Sequence, residues 1–219
     1  MEKLFYGIRN QAYVMSIKIR LHRRKILQYV VLVAHIISAV CMKVYGEDDA
    51  FRYYIFTWGL GTIILATLFI KRVTKRLKRF FKSSLKKNFR DLKWGFIIAL
   101  AGFGFVLALQ FWNVISIVVV KNSFNALFLL YPVSVAGQQF IYTLQPRVLY
   151  RDYPKWKFMV CSVLFFTCAH LGFPMSSWLL ASVCIAIPTA WLVAYKNNFT
   201  AAYILHLTIG IFALVNGFV

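Results

Sequence analysis

Residues 94–120 read WGFIIALAGFGFVLALQFWNVISIVVV, a run of 27 positions without a single charge. A bilayer core about 30 Å thick is crossed by roughly 20 predominantly apolar helical residues, so this one run already demands a lipid phase or a very large protein core. A chain of 219 residues has no such core to spare once the run recurs, and it does recur. Further apolar stretches lie at about 26–42, 53–70, 124–145, 158–173, 176–195 and 200–218. The composition agrees: 61% of residues are hydrophobic and 18% aromatic. The expected fold class is therefore all-α, a polytopic membrane helix bundle of about seven transmembrane helices, six to eight in all. Gly172-Phe173-Pro174 reads as a tight turn between the fifth and sixth spans.

The net charge of +20 does not point to nucleic acid, because the bases fall between apolar runs and no recognition motif accompanies them. With the N-terminus in the cytoplasm, the cytoplasmic segments 1–25, 71–93, 146–157 and 196–198 carry 7, 11, 4 and 1 Lys or Arg. Those are 23 of the 26, and only Lys43, Arg52 and Lys121 fall on the other side. The bias predicts a cytoplasmic N-terminus. Residues 1–25 mix Leu4, Phe5, Ile8, Val14, Ile17 and Ile19 with bases and predict an amphipathic segment on the inner membrane surface. They carry charge throughout, which argues against a secretory signal peptide. Residues 71–93 predict a second interfacial helix, binding lipid or an acidic partner. Residues 26–219 read as a single membrane domain without internal repeats.

The four cysteines, Cys41, Cys161, Cys168 and Cys184, lack CxxC spacing and read as apolar thiols. Polar groups at bilayer depth are few: Gln28, His35, Gln110, Asn113, Gln138, Gln139, His170 and His206. Such residues face a bundle interior or a water-filled cavity. Gln28 and His35, and Gln110 and Asn113, read as interhelical hydrogen-bonding residues. The other four have patterned surroundings. Gln138 and Gln139 sit in QQFIYT, Phe166 precedes His170 by one turn, and Gly210 follows His206 by one turn.

In this order and spacing, residues from about 75 to 219 resemble the CAAX prenyl protease and bacteriocin-processing family (CPBP, also called Abi) of intramembrane glutamic proteases. The family motifs are EExxxR, FxxxH and HxxxN or HxxxD. The first falls on Gln138, Gln139 and Thr143, the second on Phe166 and His170, and the third on His206 and Gly210. The resemblance implies catalytic positions at Gln138, Gln139, His170 and His206, where the family's glutamates and histidines activate a water. An amide has the outline of a carboxylate but is no base near neutral pH. Thr143 replaces the family arginine, and Gly210 offers no side chain at the third motif.

The expectation is a CPBP-like integral membrane protein, proteolytically inactive as written, acting as a scaffold or regulator that binds a partner protein. Cell-envelope regulation and bacteriocin immunity are the contexts the resemblance implies, in a bacterial cytoplasmic membrane. The alternative is a CAAX-type endopeptidase in which glutamines replace catalytic glutamates, as in a trap for peptide substrate. A transporter is disfavoured by the absence of inverted repeats and membrane-buried acids. No cofactor is expected. Two histidines with two amides make a poor zinc set. Partners are membrane lipids and a membrane or envelope protein or peptide. At about 1.5 Å rise per residue, Gln138 and His206 lie roughly 10 Å in from the cytoplasmic end and His170 roughly 18 Å, so convergence requires the fifth span to be shifted or tilted.

Overall fold

Ser84 caps a long helix: its hydroxyl accepts the Lys87 N–H at 3.3 Å, and its carbonyl accepts the Asn88 N–H at 3.0 Å. The helix, α1 (Leu85–Phe111), belongs to a computed structural model that describes residues 84–116, 127–144, 147, 153–171 and 175–216. It also describes isolated helical positions at Met15, Ser16, Ile19, Ile26, Val30, Val33 and Ile37. The expected first two spans, with Gln28, His35 and Cys41, and the turn at Gly172-Phe173-Pro174 lie outside the described residues.

The buried stripe of α1 is Asn88, Asp91, Gly95, Ala99 and Val106, small or polar residues at helical spacing. Its large residues point outward: Trp94, Leu100, Phe105 and Phe111 are all about half exposed or more. A helix in water does the reverse. Small residues inside and large apolar residues outside suit a helix that packs closely on its neighbours and presents its bulk to lipid. Among the described residues, two helical stretches are long and apolar enough to cross a membrane, α1 and the run Met175–Tyr195. Only 17% of the apolar window of α1 is buried, against 61% for Met175–Tyr195, which marks the second as the central element.

Two boundaries differ from the sequence expectation. The basic segment 71–93 does not form a separate interfacial helix at its end, because residues from Leu85 onward continue without a break into the apolar run. The third span does not reach residue 120 as a helix. It stops at Phe111, where Asn113 takes a left-handed conformation (φ 56°) and its N–H turns back to the Gln110 carbonyl at 2.9 Å. Asn tolerates that conformation better than most residues. Gln110 and Asn113 are exposed at this helix end rather than packed between helices.

The next elements are α2 (Leu127–Gln139), continued by a π-helical turn over Phe140–Leu144, and α3 (Lys155–Ala169). Then come α4 (Met175–Leu180), a second π-helical segment (Ala181–Ala186), α5 (Ile187–Tyr195) and α6 (Phe199–Val215). Pro188 explains the second π segment. It has no N–H for the carbonyl of Cys184, and its ring would press on that carbonyl in a regular helix. The wider turn relieves the clash. Ile187 N–H bonds back to Ser182, and the Thr189 hydroxyl serves the carbonyls of Ile185 (2.6 Å) and Ala186 (3.1 Å).

The centre of the bundle is α5, packed against α1, α3 and α6. Leu192 and Val193 are fully buried and join Phe140, Phe158, Phe166 and Leu205 in one core, with Ala190 also fully buried. Close approach depends on two glycines of α1. A Cβ on Gly95 would meet Leu192 Cδ1 at 2.9 Å, and one on Gly102 would meet the Val183 carbonyl oxygen at 2.9 Å. At the other end of α5 the backbone turns through Asn197 (φ 51°) into α6. There the Asn198 side-chain oxygen caps α6 through the Ala201 N–H at 3.0 Å, and its amide donates to Asp91 of α1 at 2.9 Å.

That junction brings the starts of α1 and α6 together, and Lys155 over the Tyr195 ring brings in the start of α3. All the described bases collect at this end. Lys86, Lys87, Arg90 and Lys93 lie in the first turns of α1, Arg147 sits over Phe158, and Lys155, Lys157 and Lys196 flank the α3–α5 contact. Among the described residues the opposite end carries none.

Candidate functional site

Gln139 is the last residue of α2 before the π turn, and only 1% of it is exposed. Its side-chain nitrogen lies 2.8 Å from Nδ1 of His206 on α6, itself 1% exposed. The amide donates, so Nδ1 accepts and His206 carries its proton on Nε2. The other end of the amide is held as well. Thr143 sits one turn on, and its hydroxyl donates to the Gln139 backbone carbonyl and to Gln139 Oε1 (2.9 Å). One hydroxyl proton serves two acceptors in turn. The π turn positions this hydroxyl against Gln139, and Thr143 clamps the amide.

His170 closes α3. Its Nδ1 lies 2.7 Å from the Phe166 carbonyl, which accepts, so His170 is protonated on Nδ1. Its ring stacks on Phe166 with centroids 4.1 Å apart. Phe166 meets His206 edge-on at 5.5 Å and Tyr142 edge-on at 5.7 Å. The offset in depth between His170 and His206 is thus bridged by the Phe166 ring between them. The helix is also short, ending at Ala169, and Trp178 of α4 donates to its Thr167 carbonyl at 2.8 Å.

Gln138 behaves differently from its neighbour. Successive helical residues point about 100° apart, so two adjacent glutamines do not share one partner. The Gln138 nitrogen bonds to Ser134 of its own helix at 3.2 Å, and its buried oxygen has no hydrogen-bond partner among the described residues. Of the four positions singled out in the sequence, Gln139, His170 and His206 gather around Phe166, with Gln138 beside them turned back on α2.

The third motif position is filled from another helix. A Cβ at Gly210 would overlap the hydroxyl and ring of Tyr131 on α2. Tyr131 fills the space beside Gly210. Sequence reasoning missed it, although Tyr131 lies two turns before Gln138 on the same helix face. It also missed Asp91, a carboxylate 2% exposed within α1. The signal was a lone acid inside the basic stretch KKNFRDLK. Arg90 approaches its other oxygen at 3.8 Å from the surface.

Chemically, the centre is a brace. A neutral amide joins α2 to α6 through an imidazole, and Phe166 ties in α3. Gln139 has no basic lone pair with which to take a proton from water. Among the described residues no three His, Cys, Asp or Glu side chains group as a metal site. Cys184 is buried, Cys168 half-buried and Cys161 exposed, all as free thiols. No family model, curated protein or solved structure matches this chain.

Proposed function

We propose that this chain is a multi-pass integral membrane protein of the CPBP type that has kept the family's polar centre and does not hydrolyse peptides. It acts as a membrane scaffold or regulator that binds a partner protein, with its N-terminus in the cytoplasm of a bacterial cell. The observation that carries this reading is the 2.8 Å contact between the Gln139 amide and His206, at the position where the family mechanism needs a carboxylate. Tyr131 in the space beside Gly210 supports it, because it leaves no room there for the Asn or Asp side chain of the third motif. The outward apolar face of α1 and the bases gathered at one end of the bundle support the membrane setting.

One observation favours a second reading. Glutamate is isosteric with glutamine, and a carboxylate at 139 would accept hydrogen bonds from both Thr143 and a Nδ1-protonated His206. The geometry therefore also fits a CAAX-type endopeptidase disabled at Gln138 and Gln139. Purification from native membranes in mild detergent separates the two. The chain is run beside the Gln138→Glu, Gln139→Glu double variant, and retained polypeptides are identified by mass spectrometry. A stoichiometric intact partner held equally by both is the expected result. A polypeptide held intact by the glutamine form and shortened with the glutamate form supports the protease reading instead.

A further inference from the structure

At the basic end of the bundle, cations sit over aromatic rings. Lys155 Nζ lies 5.8 Å from the Tyr195 ring centre, and Lys196 Nζ lies 5.2 Å from that of Trp191. Trp191 and Tyr195 stack at 6.4 Å, so the two lysines and two rings form one continuous ladder across α3 and α5. Lys157 Nζ lies 5.5 Å from the Trp156 ring centre. The first turn of α3 contains no acid, and Pro154 makes no side-chain cap, so the positive end of that helix faces the same surface. From this charged end an apolar strip runs along α3. Trp156, Val160 and Leu164 follow at helical spacing, each about half exposed.

We propose that the α3–α5 shelf is a specific site for one acidic phospholipid. The order of chemistry along α3 is that of the lipid itself: charge first, aromatic side chains next, hydrocarbon beyond. Lys155, Lys157 and Lys196 take the phosphate and any further anionic headgroup oxygen. The Trp156–Val160–Leu164 strip takes one acyl chain. An acidic peptide would satisfy the lysines and leave that strip uncovered. This inference rests on the membrane setting proposed above.

The test uses the full chain purified in mild detergent and exchanged into nanodiscs of phosphatidylcholine with a minor fraction of phosphatidylglycerol. Co-purifying lipid is counted by native mass spectrometry. The chain is expected to enrich phosphatidylglycerol over the nanodisc average. Each lysine near a membrane surface contributes about fivefold in affinity for acidic lipid. The Lys155→Gln, Lys157→Gln, Lys196→Gln variant should therefore lose at least about tenfold of the bound phosphatidylglycerol. A Lys86→Gln, Lys87→Gln variant, changed at the start of α1, should retain it. The Trp156→Ser, Val160→Ser variant keeps the charges and should also lose lipid. Equal retention in the triple variant overturns the site. So does retention in the Trp156/Val160 variant together with displacement by inorganic phosphate, which means a simple anion site. An acidic protein lost from the triple variant in place of lipid overturns it in favour of a protein dock. If alkaline carbonate releases the chain from membranes, the membrane reading itself fails. Firm membrane retention without phosphatidylglycerol enrichment sinks only the lipid site.

Discussion

Two glycines two residues apart on α1 should respond in opposite ways to the same substitution. Gly102 faces the π-helical segment, and an added methyl would meet the Val183 carbonyl oxygen at 2.9 Å and its carbon at 3.1 Å. The obstacle is the backbone of the π-helical segment itself, so it cannot swing aside like the end of a side chain. Gly104 has nothing within 4 Å of such a methyl. Replacing a helical glycine by alanine is worth about 0.8–1 kcal/mol in helix propensity. At Gly104 that gain stands alone. At Gly102 it is set against an overpacking cost of about 1–3 kcal/mol, for a net loss of up to about 2 kcal/mol. At about 2–4 °C per kcal/mol for a chain of this size, Gly102→Ala should lower the unfolding midpoint by up to roughly 8 °C. Gly104→Ala should raise the midpoint by about 2–4 °C. With Cys41, Cys161 and Cys168 replaced by serine, a thiol-reactive fluorophore followed through a thermal ramp in detergent reads this, because Cys184 is buried within the same π segment. Equal shifts in the same direction would refute the close approach of α1 to that segment.

Other substitutions probe the polar centre and the helix junction. Gln139→Ala leaves His206 Nδ1 without its donor and should cost about 1–3 kcal/mol, read as the same midpoint shift. Asn198→Ala removes the α6 cap and strands an Asp91 oxygen, for about 2–4 kcal/mol. Adding Asp91→Ala should then cost less than it does alone, and a double-mutant cycle measures the coupling. Gly210→Ala should cost about 1–3 kcal/mol by driving a methyl into Tyr131. Tyr131→Ala in the same chain should recover part of that loss in a thermal scan.

The helical class and the helices of the C-terminal half were legible because apolar runs of membrane length leave few alternatives. Their ends were less legible. A hydropathy run does not register a left-handed Asn113, so the third span looked longer than the helix that ends at Phe111. Nor does it register a proline that widens the preceding turn, so the π segment before Pro188 was invisible. At the site, the motif resemblance singled out Gln138, Gln139, His170 and His206; Gln139 touches His206, and the Phe166 ring lies between the two imidazoles, while Gln138 turns back on α2. The motifs could not show that Phe166 bridges the two imidazoles, because ring contacts between helices depend on their relative height. Thr143 and Gly210 looked like losses when compared with a motif. In the folded chain Thr143 holds an amide, and Gly210 makes room for a tyrosine from α2.

The central claim is that a centre built on Gln139 and His206 does not cut peptides, and it is tested most directly by counting cleavage. The purified chain would be reconstituted into vesicles with solubilised membrane proteins from its own source, and new peptide termini would be counted by mass spectrometry. The chain as written should produce no termini beyond those of empty vesicles. Termini that appear with the chain and vanish with His206→Ala would contradict the account.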